Sequence, residues 1–104
     1  MSKLVLKPAP TFALNVAVPV PGGDFVVVQF TAKFRAKDDL LAFMKSAATA
    51  EDHETFLGIV EGWDLEGAPF NRENALQLLQ SYVGTPVATY RAYVAESTKS
   101  SQGN

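Results

Sequence analysis

The chain has 104 residues, 47% hydrophobic and 19% charged, which is the length and balance of one ordinary globular domain and too little chain for two. Its formal net charge of -2 lacks the basic excess that neutralises phosphates, which argues against nucleic acid as a partner. It has no cysteine, which excludes disulfides, thiol catalysis and thiolate metal sites.

The N-terminus is apolar only over residues 4–6, which is too short for a signal peptide. No stretch approaches the roughly 20 apolar residues that cross a bilayer. We therefore expect a cytosolic protein with no membrane partner.

Two strands are predicted between Thr11 and Arg35, because apolar residues there recur with a period of two. The apolar set of the first strand is Phe12, Leu14, Val16, Val18 and Val20, and that of the second is Val26, Val28, Phe30, Ala32 and Phe34. A hairpin formed by these strands has one apolar face.

The turn between the strands sets their register. A two-residue loop at Gly22-Gly23 would mix the apolar and polar sets, whereas a three-residue loop over 21–23 pairs Val18 with Val26. We predict the three-residue loop, with Gly23 in the left-handed conformation. Pro19 cannot donate a ladder bond, which predicts a sheet edge that is either a docking strip or merely blunted by the proline.

Two helices follow. Residues 37–48 begin with two acidic side chains and have apolar residues on one side, Leu40, Leu41, Met44, Ala47 and Ala48. Thr49 is predicted to cap a second helix, with an apolar face of Phe56, Leu57, Ile59 and Val60 that continues to a stop at Gly62.

Two more helices complete the chain. Asn71 is predicted to cap a helix from Arg72 to Tyr82, and Thr85-Pro86 to begin the last one after a stop at Gly84. Leu76, Leu79 and Val83 share one face of the first of these helices, and Val87, Tyr90 and Val94 recur at helical spacing in the second. Residues 97–104 have no apolar side chain and are predicted to form a flexible tail.

These elements predict a single α+β domain over 1–104, in which an N-terminal β-hairpin packs on a cluster of about four short α-helices. A lone hairpin is only marginally stable in water, so its apolar face needs the helices or a partner subunit.

No arrangement of residues indicates an enzyme. His53 is the only histidine, and it lies with acidic neighbours in the first turn of a helix. Negative charge there interacts favourably with the helix dipole, which explains the acidic residues without a catalytic role. Neither a G-x-S-x-G nor a G-x-G-x-x-G motif is present. We expect no catalytic, cofactor-binding or metal-binding residues.

Aromatic and exposed apolar residues are the remaining candidates for function. Trp63 and Phe70 flank a turn, either as core staples or as anchors for a partner. Phe25 and Val27 lie on the otherwise polar face of the hairpin, which calls for a covering element. The predicted partner-binding residues are Phe25, Val27, Trp63, Phe70, Tyr90 and Tyr93, with Tyr82 as a further candidate.

Several segments resemble one known family. They are I-V-E-G-W-D at 59–64, F-N-R-E-N-A-L-Q-L-L at 70–79, Y-V-G-T-P-V-A-T-Y-R-A-Y at 82–93, and F-T-A-K-F-R at 30–35 before the acid-capped helix at Asp38. The pattern, from about Phe30 to the end, is similar to that of the tail assembly chaperones of long-tailed bacteriophages.

The resemblance implies a non-enzymatic protein of the host cytoplasm, absent from the mature virion. Such a protein coats the helical tape measure protein, keeps it soluble and recruits tail tube protein, often through a longer form made by a ribosomal frameshift. Homo-oligomers are compatible with this role. The alternatives are a structural head-tail or tail-completion protein and a small regulatory protein-binding domain.

Overall fold

The computed structural model describes residues 4–99, which form one antiparallel sheet and four helices. The strands are β1 (Thr11–Pro19), β2 (Phe25–Lys33) and β3 (Val60–Trp63), and the helices are α1 (Lys37–Ala47), α2 (Asp52–Ile59), α3 (Arg72–Ser81) and α4 (Thr85–Ser97). The predicted α+β class, beginning with a β-hairpin, is confirmed.

The predicted hairpin register is also confirmed. Val18 lies opposite Val26, and the pairing continues without interruption along β1 and β2. The left-handed residue of the turn is Gly22, with φ of 77°, so the prediction for Gly23 was wrong. Gly23 N donates to Val20 O at 3.0 Å, and proline followed by a positive-φ glycine makes this a type II turn.

A third strand replaces the predicted end of the second helix. The chain leaves α2 at Ile59 and pairs with β2 instead of remaining helical to Gly62. Trp63 lies opposite Phe30, and a bulge interrupts the pairing between Thr31 and Ala32. The backbone donors and acceptors on the second edge of β2 need partners, and pairing with residues 60–63 satisfies them. Val60 and Trp63 are residue types that strands favour.

The core lies between one face of the sheet and the helices. We call this the inner face, and its buried side chains are Leu14, Val16, Val18, Val28, Phe30 and Ala32. Helices contribute Leu40, Phe56, Ile59, Ala75 and Tyr93 to the same cluster. The opposite, outer face of the hairpin is largely exposed from Ala13 to Ala17 and from Phe25 to Thr31.

The first two helices differ in detail from the prediction. Phe43 packs inward, whereas Leu41 is 53% exposed. Gly58 permits this close approach, because a Cβ there would lie 2.8 Å from Phe43 Cε1. Helix α2 is capped by Glu51 and not by Thr49. Glu51 and Glu54 form a capping box, in which the side chain of each accepts a hydrogen bond from the backbone N–H of the other.

Asn71 caps α3 as predicted, since its side chain accepts a hydrogen bond from Asn74 N at 2.8 Å. Helix α4 is capped by Gly84, one residue before the predicted Thr85, and it continues to Ser97, which was predicted to lie in the tail. Residues 100–104 of that tail lie outside the described part of the chain.

The buried side of α4 is formed by residues other than the apolar ones that recur at helical spacing. Thr85, Pro86, Thr89 and Tyr93 are buried, whereas Val87 is 49% exposed, and Val83 after α3 is 77% exposed. Small threonines allow α4 to lie close to α2 and β1, which hydrophobicity alone does not reveal.

Tyr93 connects distant parts of the chain. It is fully buried, and its hydroxyl donates to Lys33 O at 2.7 Å and accepts from Arg35 Nη1 at 3.2 Å. Its ring stacks on Phe12 at 6.0 Å and meets the edge of Phe43 at 5.8 Å. The Arg35 guanidinium lies 4.0 Å from the centre of the Phe43 ring. These contacts orient α4 against β1, β2 and α1.

Replacing Tyr93 with phenylalanine is expected to lower the free energy of unfolding by about 1–3 kcal/mol, because it keeps the ring and leaves two polar partners unsatisfied. Tyr90→Phe is the matched control, because the Tyr90 hydroxyl makes no hydrogen bond within the described residues. Urea denaturation of both variants checks this expectation, and equal stabilities would contradict it.

The hydroxyls of Thr85 and Thr89 are buried and have no hydrogen-bond partner among the described residues. Thr89→Val keeps the branched shape and removes an unsatisfied polar group. We expect it to raise the free energy of unfolding by about 1 kcal/mol and the melting temperature by about 4–8 °C. Calorimetry tests this, with Thr89→Ser as a control that retains the hydroxyl and should not stabilise.

Candidate functional site

Three consecutive exposed apolar residues lie at the end of the hairpin, Phe25, Val26 and Val27. We call this end the hairpin tip and define it as residues 19–27. On its outer face, Phe25 is 65% exposed and Val27 is 68% exposed, as the sequence predicted for an uncovered pair. They lie opposite Pro19 and Ala17 in β1. Single exposed apolar residues are ordinary, but adjacent ones on a sheet face indicate a contact surface.

The inner face of the tip is exposed as well. Val26 belongs to the inner apolar set, yet 55% of it is exposed. Gly84, at the start of α4, approaches Pro19 so closely that a Cβ there would lie 3.0 Å from Pro19 Cγ. Pro19 is the last residue of β1 and pairs with Phe25, the first residue of β2, so only the turn over 20–24 extends past the beginning of α4.

A small apolar groove lies beneath the tip, with a volume of about 150 Å³. Its walls come from the hairpin, the residues after β3 and α3: Val18, Val20, Val26, Val28, Leu65, Leu78 and Tyr82. The structure thus places Tyr82, a further aromatic candidate from the sequence, beside the tip.

Trp63 and Phe70 form a separate corner of the molecule. Trp63 Nε1 donates to Ala68 O at 2.7 Å, and its ring meets the Phe70 ring edge-on at 5.0 Å. Trp63 also contacts Phe30 on the inner face, so it is not part of the outer surface around Phe25. Both residues are half-buried, and these contacts support their interpretation as staples of the turn.

The two remaining candidates lie on α4. Tyr90 is half-buried and contacts Phe43 at 6.4 Å between ring centres. It lines a groove of about 310 Å³ together with Met44, Pro86 and Val87. Tyr93 is fully buried and has no side-chain surface for a partner, so its assignment to the contact surface was wrong for this conformation.

Sequence reasoning missed Val26 and Val83 as exposed apolar residues. The alternation of β2 correctly puts Val26 on the inner face. Its exposure depends on how far the helices extend, which no local pattern shows. Val83 follows Tyr82, the C-cap residue of α3, and a position between a helix end and a glycine is a signal that could have identified it as a turn residue.

The described residues contain no group of three or more histidine, aspartate or glutamate side chains placed to hold a metal ion. Within the same part of the chain, no helix has the length and apolar character needed to cross a membrane. What this arrangement offers chemically is contact through exposed apolar surface.

The fold and its exposed surfaces are those of a small α+β protein with contact sites. A family model described as phage tail assembly chaperone matches residues 1–104, and the chain belongs to that family. The resemblance seen in the sequence is thereby confirmed, and membership implies a non-enzymatic role. No curated protein and no solved structure shows a significant match to the chain.

Substitution of Trp63 by alanine is expected to lower the free energy of unfolding by about 3 kcal/mol, because it removes a large ring from the turn and the edge of the core. Val27→Ala should change stability by less than about 0.5 kcal/mol, because Val27 is exposed. Chemical denaturation of the two variants distinguishes a staple from a contact residue. Similar losses in both would contradict this division.

Proposed function

We propose that this protein binds the tape measure protein during tail assembly and keeps it soluble in the host cytoplasm. Family membership supports a chaperone of tail assembly. The observation that carries the finer proposal is the hairpin tip, where Phe25, Val26 and Val27 are all more than half exposed. Such a surface is costly to leave in water and favours a partner that covers it.

An amphipathic helix fits this surface best. Covering one such side chain fully is worth about 1.5–3 kcal/mol, so a few neighbouring residues can support reversible binding. A helical client that laid its apolar stripe over Phe25 and Val27, on the outer face of the tip, would therefore be shielded without any change in the core. The groove beneath the tip, with Leu78 and Tyr82 on its far wall, lies on the inner side of the sheet and offers an apolar recess to a second segment.

Trp63, Phe70 and Tyr90 are secondary contact candidates in this proposal. The exposed part of Trp63 lines a shallow groove with Leu65 and Leu78. Leu65 and Leu78 also line the groove beneath the tip, so a client segment in that groove, on the inner side of the sheet, would pass close to the tryptophan. Tyr90 lies in a different groove and would contact a separate segment.

We propose further that the protein helps to recruit tail tube subunits, through a longer frameshifted form that continues beyond residue 104. The end of α4 supports this arrangement, because Ser97 lines a pocket with Phe12 and Phe34, at the end of the hairpin away from the tip. The length of β1 separates the two ends by roughly 27 Å at about 3.4 Å per residue. Client and extension would not compete for the same surface.

Val27→Asp is expected to weaken copurification with the co-expressed tape measure protein by at least about tenfold, because a charge must then be desolvated in the contact. Val83→Asp is the matched control, since Val83 is 77% exposed and lies outside the tip. Pull-down from the soluble fraction, with both variants checked for folding by circular dichroism, gives the comparison.

Equal retention of the tape measure protein by wild type and folded Val27→Asp would refute the role of the tip. Failure of the wild-type protein to copurify would refute the client itself. Mass spectrometry of purified virions addresses the alternative of a structural completion protein, because a chaperone is expected to be absent from the finished particle.

A further inference from the structure

The two edges of the sheet are protected very differently. The β3 edge is only four residues long, carries Glu61 and contains a bulge. The β1 edge is nine residues long, has no charged residue and pairs with β2 in unbroken register. Proteins commonly blunt an edge by shortening, charging or bending it, and along most of its length β1 shows none of these features.

The hydrogen bonds at the two ends of the hairpin show which groups face the open edge. Val20 N donates to Asp24 O, and Phe34 N donates to Pro10 O. Opposed residues of two antiparallel strands alternate between pairs that exchange backbone hydrogen bonds and pairs that do not. Because Val20 and Pro10 both belong to bonded pairs, the even-numbered residues of β1 form their hydrogen bonds with β2. The N–H groups of the odd-numbered residues then point away from β2: Thr11, Ala13, Asn15 and Ala17.

Pro19 is the next residue in this series, and it has no N–H to offer. It is also the residue that contacts Gly84 at the start of α4. The usable part of the edge therefore runs from Thr11 to Ala17 and has its midpoint at Leu14. No other described strand pairs with it.

We propose that β1 pairs with β1 of a second copy of this chain, antiparallel about a two-fold axis at Leu14. In this register Thr11 lies opposite Ala17, and Ala13 lies opposite Asn15. Each of these four residues in both copies donates one hydrogen bond and accepts one, and Pro19 remains outside the seam. The two sheets become one sheet of six strands.

A second copy is the occupant that the edge itself favours. An isologous contact requires a self-complementary strip, and the free donors are distributed evenly on both sides of Leu14. The seam has no charges, so two identical copies do not repel each other there.

Ala13→Pro tests the seam without touching the bonds within the hairpin, because the N–H that it removes faces the open edge. Wild-type protein without any client is expected to show a concentration-dependent dimer in sedimentation velocity. Ala13→Pro is expected to raise the dissociation constant at least about tenfold, since one donor is lost from each copy. Ala13→Val, which keeps the N–H, is the matched control and should still dimerise.

Wild type that stays monomeric at all concentrations overturns the proposal, as does a dimer that Ala13→Pro leaves unchanged. Folding of the proline variant is verified by its circular dichroism and its thermal unfolding. Because no tape measure protein is present, the outcome is independent of the client proposed above.

Cross-linking tests the register. The chain has no cysteine, so single cysteines can be introduced as Ala13→Cys and Asn15→Cys. Opposed residues of a bonded pair have Cα atoms about 5.5 Å apart, which lies within the range for a disulfide. An equimolar oxidised mixture of the two variants is expected to give covalent dimers that are almost all heterodimers. Random pairing would make only about half of them heterodimers, and that result overturns the proposed register.

Discussion

The buried hydroxyl of Tyr93 is the constraint on which the arrangement of the fold depends. It bonds to the Lys33 carbonyl at the end of β2 and to the guanidinium of Arg35, and a phenol enclosed in a core needs such partners. Its ring also lies against Phe12 of β1 and Phe43 of α1. One side chain on the last helix thus holds the beginning of the chain, the sheet and the first helix together.

The position of α4 leaves only the turn of the hairpin beyond the helix. With Tyr93 held at the Lys33 end of the sheet, the start of the helix reaches Pro19, the last residue of β1. Phe25 and Val27 are exposed for a different reason, because they lie on the outer face of the hairpin, away from the helices.

An exposed apolar tip could cause the free protein to aggregate as well as bind a client. Pro19 and Pro21 limit uncontrolled strand pairing around it, and Asp24 adds a charge next to the turn. Along β1 before Pro19 such protection is lacking, and there the proposed pairing of two copies would satisfy the open groups. The tip proposed for the tape measure protein and the edge proposed for a second copy are different surfaces, so the two contacts would not exclude each other.

The sequence by itself determined the class of the fold, the hairpin register and the cap at Asn71, because alternation, turn length and capping are local properties. It also placed Phe25 and Val27 on an uncovered face, since their polar neighbours mark that face. Tertiary structure alone decided that residues 60–63 leave the helix for a strand, because only the unpaired edge of β2 makes that exchange favourable. It likewise decided that Tyr93 is a core residue and Val26 a surface residue, because burial depends on the lengths and contacts of elements that lie far apart in the chain.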